Sequence, residues 1–255
     1  MKGISKRAFS RPYRLLALAL LAALISVPAG AWAKGGGGAT NRQVVAAQTG
    51  TFWVPDAVFN PSADDGLPVT WGTAETFFRP TFAGPQPLLA ASAVQVGRTV
   101  WAVTLKPGIT FQNGKRLDAR AAVDWLKYEL KNDPVVGALL PGVTAVKAVT
   151  ALTFTITTQK PVFDLPAVFA DFNAAVFDAG AARSVAPDWN KLVGKGAWTG
   201  PFSLTQLKPG REIVLTRNKN YWQGQPYLER VVFVRVPDEQ AALRAIQAEI
   251  GRAHV

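Results

Sequence analysis

Nucleophilic and metal chemistry each need particular side chains, and this chain holds few of them. Its 255 residues include no Cys and a single His, His254. Without thiols there is no disulfide, no thiolate nucleophile and no sulfur-ligated zinc or iron–sulfur site. One imidazole is too little for a His-based metal site or a Ser-His-Asp triad. The Ser residues form no G-x-S-x-G elbow, and beyond residue 33 none begins an S-x-x-K pair. No G-x-G-x-x-G, Walker or EF-hand loop is present. The adjacent carboxylates Asp64 and Asp65 could form half of a two-carboxylate hydrolytic site. Neighbours on an extended chain point to opposite sides, so an exposed loop pair is the plainer reading. The residues present predict a non-enzymatic chain with no cofactor and no resident metal.

The formal net charge of +11 raises nucleic acid or an anionic membrane as partners. Much of that charge sits in one segment. Residues 1–33 carry Lys2, Lys6, Arg7, Arg11 and Arg14 and no acid, followed by the apolar run Leu15–Val27 and the small-residue site Ala31-Trp32-Ala33. This is the order of a cleaved secretory signal, and the run of about 13 residues is short of the roughly 20 that a spanning helix needs. An uncleaved anchor is the weaker alternative, and no Cys follows the run to carry a lipid. Removing those five positive charges leaves +6. The remaining basic residues are scattered, and Lys115-Arg116 is their one adjacent pair. A surface that tracks phosphates clusters its cations among stacking aromatics, so nucleic acid is not expected as a partner.

The elements that must position any site follow from periodicity. An apolar fraction of 49% with 18% charged residues predicts a globular body after a flexible leader over 34–42. Gln43–Ala47 reads as a strand, and Asn60-Pro61 through Asp64-Asp65-Gly66-Leu67-Pro68 as a turn-rich loop. Trp71–Arg79 is expected to be a short helix stopped by Pro80. Thr99–Leu105 is rich in β-branched and aromatic residues and reads as a strand, with turns at Pro107-Gly108 and Asn113-Gly114. Asp118 is a candidate N-cap for a helix to about Lys131, with Ala119, Ala122, Val123, Leu126 and Leu130 on one face. Val143–Val149 and Leu152–Thr158 predict a hairpin, as do Phe202–Leu207 and Glu212–Thr216 around Lys208-Pro209-Gly210. Glu229–Val236 should be a strand with Val231, Phe233 and Arg235 on one face, and Asp238 should cap a last helix. The fold class is α+β (mixed α/β), and no repeat period appears.

Three stretches together resemble the extracytoplasmic solute-binding proteins of peptide and nickel ABC transporters. Trp101 to Gly114, followed by Leu117 to Trp125, is similar to the family's strand, its "L-R-x-G-V-x-F-x-[DN]-G" turn and its "[LF]-x-A-x-D-V" helix. Thr199-Gly-Pro-Phe202 matches the end of "G-T-G-P-[YFW]", with Trp198 in place of the first Gly. Arg217 to Pro226 matches "R-N-x-x-Y-W-x-G-x-P", and Val231–Asp238 is its following strand. Each also has a plain structural role: Asn113-Gly114 suits positive φ, and Tyr221 and Trp222 offer apolar area with a polar handle, suited to locking a hairpin onto the sheet.

The resemblance covers about Gln43 to Ala248. It implies the first lobe of a two-lobed periplasmic-binding-protein-like type II fold, C-terminally truncated. It also implies a periplasmic substrate-binding subunit of an ABC importer, acting as a monomer. Such a subunit captures a peptide or small molecule and delivers it to permease subunits, meeting the membrane only through them. By resemblance to the oligopeptide-binding branch, Asp65, Gly66 and Leu67 are ligand-binding candidates, pairing with an extended peptide through their backbone. That branch often places an aromatic near Val136–Leu140, and none is there. Phe172 and Asn173 are further candidates. Nickel-binding relatives carry Arg in the segment matching Val168–Val176, where this chain has Asp171, Phe172 and Asn173. With His and Cys lacking, a nickel role is disfavoured, although nickel can also arrive chelated.

The family helix usually runs on to "A-[LI]-x-x-G-[ED]-[IVL]-D". Here Ala245-Ile-Gln-Ala248 fits and then gives way to Glu249–Val255. Those residues can be encoded by a string that matches a common sequencing adapter after its first base, so 249–255 is expected to be read-through. Two other readings stay open: a secreted hydrolase whose catalytic residues lie beyond this sequence, and a binding protein serving a sensor or chemoreceptor.

Overall fold

Periodicity places most of the body correctly. The computed structural model describes residues 43–48, 67–132 and 134–252. The signal and leader segments, Asp65, Gly66 and residues 253–255 lie outside the described residues. In chain order the elements are β1 (Gln43–Gln48), α1 (Leu67–Thr70), β2 (Phe78–Arg79), β3 (Gln86–Pro87), β4 (Ala90–Gly97) and β5 (Val100–Leu105). Then come α2 (Ala119–Asn132), α3 (Pro134–Leu139), β6 (Val143–Ala148), β7 (Thr153–Thr158), α4 (Leu165–Val168) and α5 (Ala179–Val185). The hairpin β8 (Phe202–Lys208) and β9 (Glu212–Arg217), the strand β10 (Arg230–Arg235) and the helix α6 (Glu239–Arg252) complete it. Among the described residues no helix is long and apolar enough to cross a membrane.

Two four-stranded sheets carry the architecture. One has the order β1-β10-β9-β8, with β1 parallel to β10 from Gln43↔Arg230 to Gln48↔Arg235 and the rest antiparallel. The other, β4-β5-β7-β6, is antiparallel throughout. Its inner face follows the strict alternation of β-branched and apolar residues: Trp101, Val103 and Leu105 on β5 and Phe154 and Ile156 on β7 are buried. Helix α2 lies against that face. Asp118 Oδ1 accepts from Arg120 N and Ala121 N (both 2.9 Å) and so caps it. Ala119, Ala122 and Leu126 of the expected stripe are fully buried, while Val123 and Leu130 are half-buried and Trp125 lies at the centre. Trp125 meets Phe77 edge-on at 5.2 Å between ring centroids and donates Nε1 to Ala175 O at 2.9 Å. Phe77 also touches Phe154 and Phe169, at 5.8 and 5.2 Å, which makes it the hub of the core.

One expectation needs correcting, and two strands add to the picture. Trp71–Arg79 is no helix: Glu75 bridges to Val176 and Phe78–Arg79 is β2, while the helical turn is α1, just before it. The reason is burial on all sides, since every residue from Thr73 to Phe78 is buried. A surface helix would turn part of that run to water. Strand β4 has no counterpart in the sequence reading, because it alternates poorly and leaves Val94 and Val96 exposed at the sheet edge. β10 forms as expected, with Val231, Phe233 and Arg235 on one face, and Val232 on the other face is the most buried of its side chains. The strand is covered on both faces, with Phe233 stacking near Trp71 at 5.6 Å.

Candidate functional site

The three stretches that carry the family resemblance converge on one strut, residues 72–76. Gly200 N donates to Thr73 O and Phe202 N to Gly72 O, both at 3.0 Å. From the first stretch, Gln112 Nε2 lies 2.8 Å from Phe202 O, 3.1 Å from Gly200 O and 3.2 Å from Thr73 O. From the third, Asn218 Nδ2 donates to Gly200 O at 3.1 Å. A Cβ on Gly200 would stand 2.4 Å from Gly72 O and 2.6 Å from Thr73 O, so only glycine permits the approach.

Glu75 completes the junction. It is 6% exposed, and its carboxylate accepts from Tyr221 Oη (2.7 Å) and Trp222 Nε1 (3.0 Å). Burial pushes the Glu75 carboxyl above its ordinary pKa, even though Tyr221, Trp222, Thr199 and the Lys106 charge all pull it down. Lys106 Nζ lies 5.3 Å from the Trp222 ring centroid. Tyr221 and Trp222 therefore do more than pin a hairpin: they tie the strand-leading loop to the strut between the sheets. Burial and the neighbouring carboxylate raise the Tyr221 phenol in turn.

A second junction fixes the turn at Asn113-Gly114, where Gly114 has φ +84°. Asp178 Oδ2 accepts from Asn113 Nδ2 (2.9 Å) and Lys115 Nζ (2.7 Å), while Oδ1 caps α5 through Gly180 N (3.0 Å). Burial alone would raise the Asp178 pKa, but these donors outweigh it and hold the carboxyl below its usual range. Arg183 pairs both nitrogens with the Asp124 carboxylate, at 3.1 and 2.5 Å, linking α5 to α2.

The ligand candidates lie elsewhere. An open cleft of about 340 Å³ is lined by Val69 of α1, Pro80 and Pro85 of the turn joining β2 to β3, and Ala170, Asp171 and Phe172 after α4. Of the ligand candidates among the described residues, Phe172 lines it, and Leu67 and Asn173 do not; α1 contributes Val69. Phe172 is 47% exposed. Asn173 instead turns inward on its own loop, donating its backbone N (2.9 Å) and Nδ2 (2.7 Å) to Asp171 Oδ1. Among the described residues no group of three His, Cys, Asp or Glu side chains is placed to hold a metal ion.

The sequence reading missed Gln112, Glu75 and Asp178 as junction residues. For Glu75 a signal existed: it is the only ionisable residue between Asp65 and Arg79, inside an otherwise uncharged run. Asp178 carries only the local signal of a helix N-cap, through Gly180; the turn that it holds, at Asn113 and Lys115, lies more than sixty residues away.

Comparisons with known proteins agree with this geometry. Residues 84–250 match the family described as "Bacterial extracellular solute-binding proteins, family 5 Middle". The nickel-binding protein NikA of Staphylococcus aureus is 29% identical over 187 residues, which cover 72% of this chain and 36% of that protein. A crystal structure of S. aureus NikA in complex with Ni(L-His)2 aligns with a TM-score of 0.68 at 24% identity, covering 81% of this chain and 42% of that one. The oligopeptide-binding protein AppA of Bacillus subtilis, in complex with a nonapeptide, aligns with a TM-score of 0.65 at 20% identity, covering 81% and 42%. The chain therefore spans well under half the length of these relatives.

Proposed function

Because the chain belongs to the family 5 bacterial extracellular solute-binding proteins, we propose that it is the capture lobe of a substrate-binding subunit serving an ABC importer. Its cargo is a peptide or a related small solute, and it delivers that cargo to membrane permease subunits. The family is a solute-binding one, and this chain works without catalysis, as a monomer, in the periplasm after removal of residues 1–33. Binders of this kind act by closing two lobes around the solute, so that affinity comes from burial on both sides.

The observation that carries the reading is the cleft in which α1, the turn joining β2 to β3 and the Phe172 segment meet. By the family resemblance Asp65, Gly66 and Leu67, the last of which opens α1, are the residues whose backbone pairs with an extended ligand, while Phe172 supplies apolar area and Asn173 holds the loop beneath it. Nothing favours the hydrolase or chemoreceptor readings. The test is a thermal-shift panel on the full chain with peptides, opines and metal chelates. A rise in Tm with one class supports capture. No shift with any of them at millimolar concentration overturns it.

A further inference from the structure

The cleft at Phe172 has a chemical bias of its own. Its walls are apolar and stiff: Pro80 and Pro85 bound the turn, and Thr81 braces it by donating Oγ1 to Gly84 O (2.7 Å) and accepting from Ala83 N (3.2 Å). Phe82, at the tip between the lining residues Thr81 and Gly84, is fully exposed. Across the cleft, Asp171 is the one ionisable group among the described residues that line it. Its Oδ1 is committed to Asn173, so the carboxylate is held in place by its own loop. No described hydrogen bond or ion pair engages Oδ2. Arg79, next to the lining residue Pro80 in the chain, does not itself line the cleft.

A fixed carboxylate, an exposed ring on the same loop and proline walls together complement an ammonium group attached to an apolar body. We propose that this cleft selects an organic cation, with Asp171 as the counter-charge and Phe172 as the apolar partner. An anionic solute is disfavoured because it would face Asp171 with no opposing cation. The assignment rests on the solute-capture reading above and narrows it to a substrate class.

Three probes share one aromatic body and differ in charge: phenethylammonium, 2-phenylethanol and 3-phenylpropionate. Ligand-observed NMR titrations of the full chain should rank them cation, then neutral, then anion, with roughly fivefold between the first two, as expected for one partly exposed charge pair. Asp171→Asn keeps an oxygen for the Asn173 cap, so it should fold normally by circular dichroism while erasing the cation's advantage. Phe172→Ala should weaken the cation and the neutral probe alike. Equal binding of the three probes, or an unchanged ranking in Asp171→Asn, overturns the cation assignment and leaves capture standing. Failure of all three while the peptide, opine and chelate panel still binds overturns it as well. Silence from both sets removes the capture reading with it.

Discussion

Replacing Gly200 by alanine should be among the most damaging single-atom additions to this protein. The new Cβ would lie 2.4 Å from Gly72 O and 2.6 Å from Thr73 O, and both are backbone atoms that cannot swing aside. Restoring even a 3.0 Å approach to Gly72 O needs a shift of about 0.6 Å. A movement of that size carries the Gly200–Thr73 and Phe202–Gly72 hydrogen bonds, now both 3.0 Å, out of bonding range. Gln112 Nε2 and Asn218 Nδ2 would lose alignment with Gly200 O at the same time. Overpacking costs about 1–3 kcal/mol and each lost bond about 1 kcal/mol, so the sum is roughly 3–5 kcal/mol. That is a large fraction of a typical domain's 5–15 kcal/mol. Gly137, in α3, is the matched control, since nothing lies within 4 Å of its added Cβ. Gly137→Ala should be neutral or stabilise by about 0.5–1 kcal/mol through helix propensity. Urea unfolding followed by Trp fluorescence reads both. A Gly200→Ala protein within about 1 kcal/mol of wild type at unchanged m-value would refute the strut as described.

Other variants probe the remaining junctions. The raised Glu75 pKa means that the folded protein holds this proton to higher pH than the unfolded chain does. Its contribution is therefore full below the unfolded pKa, near 4.5, and is lost as the pH climbs from there through the folded value. Glu75→Gln cannot titrate, so its urea stability should lose that decline; equal pH slopes in the two proteins would contradict the burial argument. Glu75→Ala strands the Tyr221 hydroxyl and the Trp222 indole N–H and should cost about 2–4 kcal/mol in the same assay. Asp178 has the opposite sign: its lowered pKa gives stability that is present above its unfolded value near 3.8 and lost as the pH falls through the folded one. Asp178→Ala should remove the α5 cap and both turn contacts, about 2–3 kcal/mol at pH 7, and flatten the acid limb of the stability curve. Arg183→Met breaks a half-exposed pair and should cost no more than about 1 kcal/mol, shrinking in high salt; a larger, salt-independent loss would show that the pair is not acting as a surface ion pair.

Elements with a clean period were legible. β5, β7, α2 and the β8–β9 hairpin follow from alternation, capping and turn residues, which are local properties. The segment from Trp71 to Arg79 was misread because apolar spacing cannot tell a helix from a strut buried on every side. The partners that bury it are far along the chain: Trp125, Phe154 and Phe169 around Phe77, and Gly200, Phe202, Tyr221 and Trp222 more than a hundred residues further on. Edge strand β4 was missed for the converse reason, because half its side chains face water and carry no pattern. Phe172, named as a candidate through resemblance, lines the cleft beside Val69 of α1. Asp171 was noted only as a departure from an arginine pattern, since a lining role depends on a turn ninety residues upstream.

The contacts made by the three recognisable stretches are backbone-level: a glycine against carbonyl oxygens, amide side chains on main-chain acceptors, and a capped turn. Contacts of that kind tolerate little substitution, as at Gly200, where an added Cβ meets main-chain carbonyl oxygens. The residues at the cleft are under a different constraint. Phe172 is partly exposed and the Asp171 side chain is braced by its own loop, so on the cation proposal exchanging either should change what the cleft attracts without moving the sheets. The recognisable stretches thus meet at the strut, whereas Asp171 and Phe172, the residues of the proposed cation site, stand on the cleft wall. On the cation proposal above, the stretches that reveal the family do not choose the solute, and the residues proposed to do so, Asp171 and Phe172, belong to no motif.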